Sequence, residues 1–304
     1  MNFSISQLSR KGGRDINEDR VGYCHMREAD IFLLADGMGG HPEGEVAAEL
    51  AVQAMAARFQ QAARDGIEDV RGFLVSALME AHHTILRYAQ DKGMAETPRT
   101  TVVAALIEAG CLSWIHCGDS RLYLVRDGEL LVRTRDHSYA EQRPNEIPMS
   151  KTGVPLNRHV LLTCLGSPAD PVFDVAGPVA LQQGDKVLLC SDGLWGSLDE
   201  QALVDGLWGQ PVTQAVPELV ERALAHAGES SDNVTVLALE WVRSDDFQAT
   251  RDGITRGGVA EEVFASTVQA DELDNMTHDL DDAEIDRSIA EINAAIQRAA
   301  TRKK

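Results

Sequence analysis

Four aspartates stand where apolar runs begin or end: Asp36 closes "IFLLAD", Asp119 follows "WIHCG", Asp192 follows "KVLLCS", and Asp232 precedes "NVTVLAL". Near the start, "RDINED" adds Arg14, Glu18 and Asp19. One such carboxylate is a turn residue or a helix cap, and Asp-Gly after an apolar run is a common hairpin signal. Several together suggest other chemistry. If the strand ends meet, the carboxylates converge, and like charges a few ångströms apart cannot all stay ionised without cations. Oxygen ligands of this kind favour Mg²⁺ or Mn²⁺ with several waters kept. Gly37 and Gly193 follow Asp36 and Asp192. Lacking a Cβ, they would leave room for an ion, its waters and a substrate.

The elements that must position these groups are readable from periodicity. Residues 3–8 alternate as an opening strand, and "IFLLA" reads as a short buried strand. Helical spacing over 43–59 and about 69–90 predicts two helices, the second with Phe73, Leu74, Ala77, Leu78, Ala81, Ile85 and Tyr88 on one face. The period then changes. Residues 100–134 read as four strands joined at Ala109-Gly110, Gly118-Asp119 and Asp127-Gly128, and "KVLLC" and "NVTVLALEWV" are two more. Helical patterns at 198–209 and 213–227 lie between these last two. Strict βαβ alternation is missing, so the expected class is α+β: an antiparallel β-sandwich flanked by helix layers.

At 304 residues and 44% hydrophobic content, the chain can bury one large core or two smaller ones. A net charge of -20 argues against nucleic acid or anionic membrane as partners. It leaves room for an anionic substrate, because bound divalent cations reverse the local sign. Cys24, Cys111, Cys117, Cys164 and Cys190 are scattered without a C-x-x-C pair, which suits core thiols in a reducing compartment. With no apolar leader at the start and no run near the ~20 residues that span a bilayer, a cytoplasmic location is expected.

From 243 to 270 the chain turns polar and reads as a linker, and 271–304 is an acidic tail. Ile285, Ile289, Ile292, Ile296 and Ala299 make a narrow apolar seam on one amphipathic helix. That seam would bind a partner or pack on its own preceding domain.

The ordered set "RDINED", "LLADGMGG", "PRTTVV", "HCGDSRLYL", "RDHS", "LTCLG", "LLCSDGLW" and "SDNVTV" resembles the bacterial branch of the metal-dependent protein phosphatases of type 2C, over residues 1–242. The resemblance implies a β-sandwich between helix layers with a binuclear Mn²⁺ or Mg²⁺ centre at one end. Asp36 would bridge both ions, the Gly37 carbonyl would bind one of them, and Asp192 and Asp232 would complete the second ion's shell. Glu18 and Asp19 would hold metal-bound waters or ligate at the edge, and Asp119 would hold a third, weaker ion. Arg14 would grip the substrate phosphate in a bidentate fork. Two cations lower the pKa of a bridging water, and the resulting hydroxide would attack phosphorus in line. The implied substrates are proteins carrying phosphoserine or phosphothreonine, supplied by a cognate Ser/Thr kinase.

Some residues depart from the family pattern or stay ambiguous. Met38 stands where eukaryotic members carry a histidine, and a thioether cannot donate a proton. His41 is either a substitute donor or a helix-entry residue before Pro42. Ser191 has neither a nucleophile elbow nor a base at suitable spacing and is read as structural. Thr100-Thr101 would order the ligand loops, and Asp136 and His137 of "RDHS" would form a polar scaffold. His82 and His83 lack an H-E-x-x-H pattern, so zinc is not expected there. Residues 139–159 correspond to a flap beside the site in relatives. Two alternatives stay open: a phosphomonoesterase for small molecules, and a non-catalytic phosphoprotein-binding module of the same fold.

Overall fold

A computed structural model describes residues 3–64, 66–142 and 160–242, together with the backbone of 263–266. Its strands are β1 (Phe3–Arg10), β2 (Asp19–His25), β3 (Ala29–Asp36), β4 (Val102–Glu108), β5 (Cys111–Cys117), β6 (Arg121–Arg126), β7 (Glu129–Arg133), β8 (Asp174–Ala180), β9 (Lys186–Cys190), β10 (Val234–Trp241) and β11 (Val263–Ser266). The helices are α1 (Gly44–Ala62), α2 (Val70–Lys92), α3 (Tyr139–Gln142), α4 (Asp192–Trp195), α5 (Glu200–Trp208) and α6 (Val212–Ala227). One sheet runs β11-β2-β3-β4-β5-β8 and the other β1-β10-β9-β6-β7. Every pairing is antiparallel.

The side-chain period of two explains the layering. On β3, Ile31, Leu33 and Ala35 join the cluster that buries the inner faces of α1 and α2. Phe32 and Leu34 point the other way and meet Val187, Leu189, Leu237 and Leu239 of the second sheet. On β9, Leu188 and Cys190 turn outward against α5 and α6. The central strands are therefore buried on both faces, so they read as unbroken apolar runs. The layer order is helices, sheet, sheet, helices, as expected for a helix-flanked antiparallel sandwich.

The hairpins β4-β5 and β6-β7 turn at Ala109-Gly110 and Asp127-Gly128, all four residues with positive φ, as predicted for two-residue primed turns. Three strands are additions to the sequence reading. β2, "DRVGYCH", is interrupted by Gly22 and polar at its ends. β8, "DVAGPVA", is a largely exposed edge strand with Gly177-Pro178 inside it. β11 falls within the expected linker and pairs with β2 from Val263↔His25 to Ser266↔Gly22, so sheet pairing continues beyond residue 242. The compact unit extends to Val268. The tail seam from Ile285 to Ala299 and most of the expected flap lie outside the described residues. Among the described residues, no helix is long and apolar enough to cross a membrane.

Antiparallel order brings one set of strand ends together. The C-termini of β3, β5 and β9 and the N-termini of β2, β6 and β10 open on the same end of the sandwich.

Candidate metal centre

Asp19 and Asp36 lie directly opposite each other, the first residue of β2 against the last of β3. The Asp36 carbonyl accepts from the Thr101 amide and the Thr100 hydroxyl, both at 2.8 Å, while the Asp36 amide donates to Thr101 Oγ1 at 3.2 Å. Thr101 Oγ1 also shares a 2.7 Å hydrogen bond with Ser120 Oγ, next to Asp119. The threonine pair thus orders two carboxylate loops at once.

Ser191 joins the sheets. Its hydroxyl donates to Asp19 Oδ2 at 2.7 Å and accepts from the Thr235 amide at 3.0 Å. That is a positioning role, in keeping with the structural reading. Asn233, which sequence reasoning passed over, is a second hub. Its Oδ1 accepts from the Glu18 amide (2.8 Å), and its Nδ2 donates to the carbonyls of Lys11 (2.8 Å) and Ile16 (3.0 Å). Its own amide donates to Asp232 Oδ1 at 2.8 Å. Trp195 was also missed; its indole N–H donates to the Asp119 carbonyl at 3.0 Å, and Arg121 stacks on its ring at 3.6 Å. Both roles rest on contacts between residues far apart in the chain, which leave no local signal in the sequence.

The glycines do a different job from the one expected. A Cβ on Gly37 would lie 2.4 Å from the Gly44 carbonyl oxygen, and one on Gly193 would lie 2.1 Å from the Asn233 carbonyl oxygen. These residues are bare because backbone passes against backbone. Gly39 fits the original expectation better, since its open face looks onto the Glu18 carboxylate and the Arg14 guanidinium.

The electrostatics show that the carboxylates form one group. Burial first, then the charges of Asp19, Asp192, Asp119 and Asp232, hold Asp36 well above the ordinary carboxylate range. Asp192 is pushed to about 8 by burial and by Asp119, Asp232 and Asp19. Asp119 rises to about 7, mainly through burial with Asp136 next, and Asp19 to about 6, again mainly through burial. Glu18 is raised by burial and by Glu45, which places it toward the rim. Among the described residues, Arg14 makes the one ion pair into this group, Nη2 to Asp232 Oδ2 at 2.6 Å. With its side chain 53% exposed, Arg14 keeps donors toward solvent at the rim.

This arrangement fits divalent cations. Asp19 Oδ1 is fully buried without a hydrogen-bond partner, and five clustered carboxylates share one arginine. Hard oxygen donors in that number suit Mn²⁺ or Mg²⁺. All seven residues assigned to the site (Arg14, Glu18, Asp19, Asp36, Asp119, Asp192 and Asp232) are brought to one end of the sandwich, with Gly37 beside Asp36. His41 lies off this group. Burial and nearby Arg99 lower its pKa, and its Nδ1 is buried without a partner. A neutral imidazole is a poor proton donor near pH 7. His82 Nδ1 accepts from the Gly166 amide at 3.2 Å, a loop-holding contact.

Comparison with known proteins agrees with this geometry. Residues 9–231 match the family described as Protein phosphatase 2C. The serine/threonine protein phosphatase PstP of Mycobacterium tuberculosis is 32% identical over 232 residues, which cover 75% of this chain and 43% of that protein. The chain therefore spans less than half the length of that relative. The serine/threonine phosphatase stp of Listeria welshimeri is 31% identical, covering 75% of this chain and 91% of its own. Among solved structures, the catalytic domain of PstP in complex with 2 manganese ions superposes with a TM-score of 0.65 at 29% identity, covering 79% of this chain and 99% of that one. By the extent of the match and the order of its motifs, the chain belongs to the protein phosphatase 2C family.

Proposed function

We propose that this chain is a metal-dependent protein phosphatase that hydrolyses phosphoserine and phosphothreonine. The observation that carries the reading is the gathering of Asp19, Asp36, Asp119, Asp192 and Asp232 from both sheets, with Arg14 the basic side chain paired into them. Asp36, Asp192 and Asp232, with the Gly37 carbonyl, would hold a pair of Mn²⁺ or Mg²⁺ ions, as the manganese-bound relative encourages. Asp119 would hold a third. Bound ions of this kind supply the Lewis acidity that makes water nucleophilic near neutral pH and neutralises phosphoryl oxygens.

The protein's own contribution is placement. Ser191 holds one carboxylate oxygen of Asp19, and the threonine pair fixes the backbone from which the Asp36 carboxylate projects. Asn233 ties the Lys11–Glu18 loop to Asp232, which sets Arg14 at the rim. Arg14 then exchanges its contact with Asp232 for the substrate phosphate, using the planar fork a lysine lacks. Ser191, fully buried and bonded on both sides, is not a nucleophile, so no phosphoenzyme is required.

Phosphoproteins made by a Ser/Thr kinase are the proposed substrates. The five cysteines are free and mostly buried, which suits a cytoplasmic setting. The deciding experiment is hydrolysis of a phosphothreonine peptide with Mn²⁺ titrated in, run beside a phosphorylated metabolite. Faster turnover of the metabolite would replace the proposal with a small-molecule phosphomonoesterase, and no turnover of either would favour a binding module.

A further inference from the structure

The most tightly gathered trio of potential metal ligands among the described residues is not the aspartate group but His116, His137 and Asp174, whose ligating atoms lie within 4.8 Å of one another. Its geometry does not suit a shared cation. The two imidazoles stack nearly parallel, 4.6 Å apart at 13°, whereas a metal lies in the plane of each ring that binds it. Two of the four ring nitrogens are also engaged outside the trio, while His116 Nδ1 is buried without a hydrogen-bond partner. His116 Nε2 faces the Arg135 carbonyl at 2.9 Å and must carry a proton. His137 Nδ1 accepts from the Gly118 amide at 3.2 Å, which leaves its proton on Nε2, 3.3 Å from Asp174 Oδ2.

What His137 holds is the residue before Asp119. Its ring accepts the Gly118 N–H while its own amide donates to the Gly118 carbonyl at 2.9 Å. Gly118 has φ +107 and crowds Thr101 so closely that a Cβ would sit 2.6 Å from Thr101 Cγ2. The chain makes its sharp passage from β5 to β6 here, and a glycine alone does not specify its direction. Trp195 fixes the Asp119 carbonyl on the far side. His137 is buried at 5% exposure, clamped between the His116 ring and the exposed carboxylate of Asp174.

We propose that His137, with its tautomer set by Asp174, is a positioning residue that aims the Asp119 carboxylate. This rests on the reading of Asp119 as a ligand of the weakest divalent ion. Both residues of the "DH" in "RDHS" then serve the same loop. Asp136 anchors Arg121 through paired 2.7 Å contacts, Arg121 stacks on Trp195, and His137 grips the Gly118 backbone.

The test is calorimetric titration of chelator-stripped full-length protein with Mn²⁺, comparing wild type, Asp119→Ala, His137→Leu and His137→Asn. Losing an outer hydrogen-bond partner typically weakens metal affinity about 10–100-fold. His137→Leu should weaken the loosest Mn²⁺ site by that factor and leave the tighter sites unchanged. His137→Asn places an acceptor where Nδ1 stood, so it should recover most of the loss, which a merely space-filling role would not predict. If Asp119→Ala binds Mn²⁺ as wild type does, the ligand reading falls and this proposal with it. If Asp119→Ala is weakened while His137→Leu is not, the proposal alone is overturned. Should His137→Leu fail to fold, Asp174→Ala changes an exposed carboxylate and reads the same link; an unaltered isotherm there overturns the proposal.

Discussion

The two ends of β9 handle buried carboxylates in opposite ways. At its start, Asp185 is fully buried and meets Arg126 through two contacts at 2.7 and 2.6 Å, while the Gln182 amide donates to it at 2.8 Å. Lys186 beside it donates to the Leu207 carbonyl at the end of α5. Just past its end, Asp192 sits with four other aspartates, and one partly exposed arginine pairs into the whole group. Five residues of strand separate a carboxylate supplied with its own guanidinium from one that lacks any. Charge buried for architecture comes with its counter-ion in the chain, and charge buried for chemistry awaits one from solution.

Removing a carboxylate at the second end should produce the largest effect. Asp192→Asn is expected to lower turnover of a phosphothreonine peptide by at least about 10²-fold, the scale of losing one well-placed electrostatic contact. The same change should raise the melting temperature of the metal-free protein near neutral pH, because burial and three neighbouring carboxylates force Asp192 to take up a proton on folding and asparagine need not. Full activity at limiting Mn²⁺ would remove Asp192 from the ligand set.

The pH dependence of the metal-free protein sharpens the contrast. Asp119 and Asp192 keep their protons to about 7 and 8 when folded, against about 4 in an unfolded chain. The folded state therefore binds more protons between those values. Stability from these groups is complete below pH 4 and is lost as pH rises through 7 and 8. Since one pKa unit is worth about 1.4 kcal/mol, several such groups sum to a loss of several kcal/mol. Chelated protein should melt lower at pH 8 than at pH 5.5, and saturating Mn²⁺ should flatten the curve. A chelated protein whose melting temperature does not fall over that range would contradict the clustering.

How much of this was legible beforehand depended on whether a residue's role was local. Asp36, Asp119, Asp192 and Asp232 stood out because double-sided burial makes their strands continuous apolar runs. The turns at Ala109-Gly110 and Asp127-Gly128 were equally plain, since positive φ selects those residue types. By contrast, Asn233 acts on Ile16 and Lys11 across more than two hundred positions, and nothing near it in the chain shows that. Trp195 stands in the motif "LLCSDGLW" with no role assigned, and its indole contact to Asp119 exists only because α4 packs beside the β5-β6 passage. β8 hid behind Gly177-Pro178 and an exposed edge, where apolar alternation is not required. The glycines were legible as necessary but misread in purpose, because the opposing carbonyls of Gly44 and Asn233 are supplied by the fold.

At the first end of β9, Asp185→Asn should leave Arg126 without its charge partner. A broken buried pair costs roughly 3 kcal/mol, or about 6–12 °C in melting temperature for a domain of this size. Its kcat on the peptide should match wild type at a temperature where both are folded. A large fall in kcat with unchanged melting would mean that the two ends are not separable as described.

The smallest effect is expected from the chain's last sheet contact. β11 covers the outer edge of β2 opposite Gly22–His25, the half of the strand away from Asp19. Ending the chain after Ala270 should leave both melting and Mn²⁺-dependent hydrolysis of a small aryl phosphate unchanged. Ending it after Ser244 also removes β11 and exposes four residues of strand edge. The cost should be about 1–2 kcal/mol, since a short edge pairing loses a few backbone hydrogen bonds, each worth about 0.5–1 kcal/mol net of the bonds water restores. The activation curve for Mn²⁺ should not move, because Asp19 is held from the other side by Ser191 and Asp36. If the shorter chain instead needs more Mn²⁺ while melting normally, β2 transmits the state of its far edge to the site. The separation of architecture from chemistry would then fail along β2 even if it held along β9.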